Sequence, residues 1–147
     1  MNPIRIIQNG LIIAAGIVSL NLSAADPAKK APHGGRLMEV GGARLEFVVE
    51  SDKKANVYLY DDQWKPVVPT DQSVTLMVQA KDQAKVKTDL IKKSDSFASE
   101  APLAIPDGAK AILVIKTGGK IHNLRFDLDM SLCGECKNPE YACSCGH

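Results

Sequence analysis

The chain has 147 residues, 45% of them hydrophobic, and 18 lysines and arginines stand against 17 aspartates and glutamates. So even a balance leaves no electrostatic footprint for nucleic acid or for an anionic membrane surface, and the length suits one hydrophobic core rather than two. All four cysteines fall between Cys133 and Cys145, so the body of the chain carries no thiol.

Residues 1–25 read as a cleavable signal peptide. Arg5 is the only charge, an apolar run spans Leu11 to Leu20, and Ser23-Ala24-Ala25 offers the small residues that a signal peptidase accepts. Gly10, Gly16, Ser19 and Asn21 interrupt the run, which is too short for the roughly 20 apolar residues that span a bilayer. We therefore expect cleavage before Asp26, no stable membrane anchor afterwards, and a bacterial periplasmic location. No cysteine near the junction offers itself for lipidation.

Residues 26–36 are polar, with Lys29, Lys30 and two prolines, and are expected to form a flexible leader. A β-domain is expected over residues 37–130. Ala43 to Glu50 alternates, with Leu45, Phe47 and Val49 on one face and Arg44, Glu46 and Glu50 on the other; Val48 is the exception on that outer face. Asn56 to Tyr60 repeats the period of two and breaks at Asp61-Asp62-Gln63, a turn before Trp64. Ser73 to Gln79 places Val74, Leu76 and Val78 together. Lys85 to Leu90 is a weaker strand, competing with a turn of helix from Asp82. Ala109 to Lys116 holds an unbroken apolar run, as a strand buried on both faces would. Gly118-Gly119 then joins it as a tight hairpin to Lys120–Asp129, where Leu124, Phe126 and Leu128 share a face. Six or seven short strands separated by turns predict an all-β, antiparallel β-sandwich, with a small closed barrel as the alternative.

The remainder, 131–147, is a Cys-rich tail of spacing C-x2-C-x6-C-x-C-x-H: Cys133, Cys136, Cys143, Cys145 and His147. Two such sulfur pairs can close a tetrahedron of soft donors around Zn²⁺ or Cu(I), with His147 as a substitute or additional donor. The compact spacing suggests a flexible, metal-loading segment. The other possibility is a pair of disulfides, which an oxidising compartment favours. These would join the first cysteine pair to the second, since a Cys143–Cys145 bond would be strained. Cys133-Gly134-Glu135-Cys136 lacks the alternating α/β setting of a thioredoxin-like site.

His122, on the face of Leu124, reads as a core-rim histidine, and Trp64 with Tyr58 and Tyr60 as packing. No serine sits in a G-x-S-x-G elbow, no glycine loop prepares a phosphate site, and the carboxylates read as solvated charges on outward faces. We expect no enzyme activity.

Pro32-His33-Gly34-Gly35-Arg36-Leu37, then Gly41-Gly42, the strand Arg44 to Val49 and the strand Val57-Tyr58-Leu59-Tyr60-Asp61, with a proline such as Pro66 or Pro69 beyond, make up a pattern. It resembles small periplasmic P-H-G-G proteins and a module of the periplasmic adaptor subunits of heavy-metal efflux pumps, over residues 32–69. The resemblance implies an immunoglobulin-like β-sandwich in the cell envelope, transition-metal handling, and a heavy-metal efflux pump component as partner. His33 matches the family histidine, either as an auxiliary metal ligand or as a cap on the first strand. Two functions follow as expectations: a non-enzymatic periplasmic metal-binding protein, or an envelope interaction module whose cysteines form a disulfide staple.

Overall fold

A computed structural model describes residues 30–145. The expected signal peptide and His147 lie outside them. Nine strands follow in chain order: β1 (Arg36–Val40), β2 (Ala43–Val49), β3 (Ala55–Tyr60), β4 (Pro66–Val67), β5 (Ser73–Gln79), β6 (Val86–Lys92), β7 (Ser96–Ala98), β8 (Lys110–Thr117) and β9 (Lys120–Asp127). All pairings are antiparallel, in the order β1-β2-β3-β7-β6-β5-β8-β9, with β4 paired to β3.

The short β7 is what makes this one sheet. Its Phe97 faces Val57 of β3 on one side and Lys92 of β6 on the other, so the β1–β3 half and the β5–β9 half are hinged along it. The halves close on a common core in which Leu45, Phe47, Val57 and Leu59 meet Val74, Leu76, Leu113 and Ile115. The free edges approach each other as well. The Arg36 guanidinium of β1 lies 5.3 Å from the Phe126 ring centre of β9, and a Cβ placed on Gly41 would stand 2.4 Å from the His122 ring. The result is an antiparallel all-β sheet with two packed faces, rolled nearly to a barrel.

The period-two pattern placed the inward residues correctly: Leu45, Phe47, Val57, Leu59, Val74, Leu76, Leu113, Ile115, Phe126 and Leu128 are buried, and Leu124 is half-buried against them. The β8–β9 hairpin turns at Gly118 and Gly119, both at positive φ (54° and 73°), the conformation that a two-residue turn between right-twisted strands demands. The uncertain 85–90 segment is strand, β6; there, cross-strand pairing with β5 outweighs weak local propensity.

One inference from alternation fails. Glu46 lies on the outer face of β2, as expected, yet it is not solvated: its exposure is 0%, and Val48 on the same face is 5% exposed. Residues 31–35 fold back over this face. Gly35 comes so close that a Cβ on it would stand 2.3 Å from the Phe47 carbonyl oxygen and 2.6 Å from Val48 Cγ2. The outer face of β2 is therefore a second, small interior.

Candidate metal centre and the clasp beside it

Beyond β9 the chain turns on Asp129, whose Oδ1 accepts the Ser131 N–H and hydroxyl. Leu132 and Pro139 pair as an isolated antiparallel bridge, and between them a tight loop presents the first two cysteines. The Cys133 N–H donates to the Asn138 carbonyl (2.8 Å) and the Lys137 N–H to the Cys133 carbonyl (3.1 Å). Closing that loop puts Lys137 at φ 63°, a left-handed conformation that costs a side-chain-bearing residue free energy and persists where surrounding bonds over-determine it.

A turn of 3-10 helix, Glu140–Ala142, follows and carries the anchor of the segment. Tyr141 is 2% exposed and belongs to the main core. Its ring meets Phe47 edge-on at 5.8 Å, its hydroxyl accepts the Val49 N–H at 2.8 Å, and its carbonyl accepts Arg36 Nη1 at 3.0 Å. The cysteine segment is thus docked on the barrel rather than free, because the aromatic residue in its six-residue spacer has an apolar place to go.

This docking gathers Cys133, Cys136, Cys143 and Cys145, whose Sγ atoms all lie within 4.8 Å of one another. The Cys133–Cys143 separation is 3.3 Å and Cys136–Cys143 is 3.8 Å. No pair is at disulfide distance, which is about 2.05 Å. Four sulfurs each about 2.3 Å from a central Zn²⁺ stand about 3.8 Å apart, so the spacing fits a tetrahedral thiolate site. Cys133 is buried; the other three are half-buried.

The electrostatics follow from the backbone. N–H groups of Cys136 and Glu135 point at Cys133 Sγ and pull its thiol down to about 7. The Cys145 N–H donates to Cys143 Sγ (3.3 Å) and works against its rise, but burial and the neighbouring Cys133 prevail and that thiol is raised. Cys145 is raised as well, by Cys136 and then Cys143. One thiolate is favoured and further ones repel it, a frustration that a bound cation removes.

His33 is not in this group. Its Nδ1 lies 3.0 Å from Glu46 Oε2 and 3.2 Å from the Tyr60 hydroxyl, and its ring stacks on Tyr58 at 3.8 Å and 8°. Glu46 is the hub: Oε1 accepts the His33 and Gly35 N–H groups (2.9 and 2.8 Å), and Oε2 accepts the Tyr60 hydroxyl (2.7 Å) and the His33 ring. Burial alone would raise this carboxyl. The bonds from Gly35, Tyr60 and His33 outweigh it and hold the group below its ordinary 4.5. The P-H-G-G segment is therefore clasped to the barrel by a buried carboxylate. One sequence signal pointed here, a histidine just before paired glycines; Glu46, read as a solvated charge on the outer face, gains its role from the β2–β3 register that sets it across from Tyr58.

Elsewhere, His122 is a half-buried rim residue opposite Ile115, beside Gly41. Trp64 packs against Tyr60 at 5.6 Å under the Arg44 guanidinium. Among the described residues, no helix is long and apolar enough to cross a membrane. Comparison with family models, curated proteins and solved structures returns no match.

Proposed function

We propose that the protein is a non-enzymatic transition-metal-binding protein of the bacterial envelope, with Cys133, Cys136, Cys143 and Cys145 as thiolate ligands. The observation that carries this is the convergence of all four sulfurs within 4.8 Å on a loop fixed to the core by Tyr141. Four sulfurs at tetrahedral spacing suit Zn²⁺, with Cu(I) as the soft competitor. Export to the periplasm is supported by the leader of residues 1–25. An immunoglobulin-like kinship and a heavy-metal efflux component as partner are supported only by the P-H-G-G resemblance.

Native mass spectrometry of the protein isolated from the periplasm without reductant tests the reading. A mass matching residues 26–147 with one bound metal ion, lost on adding a chelator, is expected. A metal-free mass lower by about four hydrogens would replace the metal site with a disulfide staple.

A further inference from the structure

A cleft of about 620 Å³ opens between the clasped P-H-G-G segment and the cysteine loop. Gly34, Gly35 and Arg36 line one side; Cys136, Cys143 and Ser144 line the other. A structural thiolate site fills all four coordination positions with protein ligands, so exchange at it must displace a sulfur that an incoming ligand can reach. Here Cys133 is shut in at 1% exposure, while two of its companions border a cavity large enough for a small organic molecule.

We propose that this cleft is a ligand-exchange port, through which a small thiol reaches the metal and displaces Cys136 or Cys143, and that the Glu46–His33 clasp sets its width. The inference rests on the metal-binding reading above and adds a route and a ligand class to it. Three observations support it. The port leads to sulfur, so a soft donor is what can exchange there. Its far wall is a segment pinned by three contacts to Glu46, from the His33 N–H, the His33 ring and the Gly35 N–H. That wall is tied directly to the cysteine segment through the Arg36 bond to the Tyr141 carbonyl. In the exchange, a metal–sulfur bond to the incoming thiol forms as one to cysteine breaks, and the thiol's proton passes to the released cysteine thiolate. No electrons change hands.

The test follows zinc release from the zinc-loaded protein to a colorimetric chelator at fixed concentration, as glutathione is increased. The unaltered protein should show a release rate that rises with glutathione. Ser144→Trp places a large side chain in the port from an exposed position. It should cut that dependence about tenfold, at the low end of outer-shell effects on metal sites, and leave the thiol-independent rate unchanged. Gly34→Asn, at φ 73° with nothing within 4 Å of a new Cβ, narrows the opposite wall and should act in the same direction. His33→Ala removes the ring's contacts with Glu46, Tyr60 and Tyr58 while the two backbone N–H bonds to Glu46 remain, so it loosens the wall without releasing it and should steepen the dependence. Equal glutathione dependence in all of these proteins, at unchanged zinc stoichiometry, would overturn the port while leaving the metal site standing. If the unaltered protein holds no zinc, the metal reading fails and the port with it.

Discussion

Glu46 offers the sharpest test of how this fold is held together, through a contrast between two substitutions. In Glu46→Gln the side-chain carbonyl can keep the Gly35 and His33 N–H bonds. The amide N–H groups can meet the Tyr60 oxygen and His33 Nδ1, since a hydroxyl accepts as well as donates and the imidazole can change tautomer. Only the charge-assisted part of the bonding is lost, and a cost of about 1–2 kcal/mol is expected. Glu46→Leu has similar bulk but no acceptor. It strands two donors, the Gly35 and His33 N–H groups, at about 1–3 kcal/mol each, while the Tyr60 hydroxyl can still turn to His33 Nδ1, so roughly 4 kcal/mol is expected. Urea unfolding with a shared m-value measures both. The pH dependence carries a sign of its own. The folded carboxyl lies below its ordinary 4.5, so the stability it contributes is fully present above that value and is lost as pH falls through the folded value. Both substitutions should remove that part of the acid sensitivity. A Leu variant within about 1 kcal/mol of the Gln variant would refute the role of Glu46 as an acceptor hub.

Two further outcomes follow from the packing. Gly35→Ala forces a methyl to 2.3 Å from a backbone oxygen that cannot yield, and should cost at least about 3 kcal/mol or prevent folding, as read by circular dichroism and urea midpoint. Zinc at 100 times its dissociation constant should stabilise the whole barrel by about 2.7 kcal/mol, read from the near-ultraviolet signal of the core aromatics; an unmoved barrel transition would mean that the cysteine segment unfolds independently.

Legibility in the sequence tracked the range of the forces involved. Strands β2, β3, β5 and β9 are readable because alternation over five or more residues is a local record of which face is buried, and Leu45, Phe47 and Val57 follow it; β8 is readable instead as an unbroken apolar run between turn signals. β7 is too short to show a period. Its three residues become strand only because Phe97 enters the core and both neighbours are present to pair. The cysteine spacing announced a soft-donor site, but its docking depended on Tyr141 finding Phe47, a contact between residues far apart in the chain. The same holds for Glu46. Alternation gives the face of a sheet on which a residue lies, and says nothing of whether another segment covers that face.

These long-range contacts also determine what kind of metal site this fold can build. A cysteine segment tethered only at its start would ionise and bind as a peptide does, and the barrel would be a bystander. Tyr141 changes that, because one residue lies in the main core, accepts the Val49 N–H and carries a carbonyl held by Arg36, two residues before Cys143. Arg36 in turn begins β1 directly after Gly35, which Glu46 holds. From the buried carboxylate to the sulfurs there is thus a continuous run of short-range contacts, none of which uses a metal ligand. Free energy put into ordering the thiols by a bound cation is therefore shared with the clasp and the core, and loosening the clasp must be felt at the thiols. That reciprocity would hold for any soft metal bound at the proposed site.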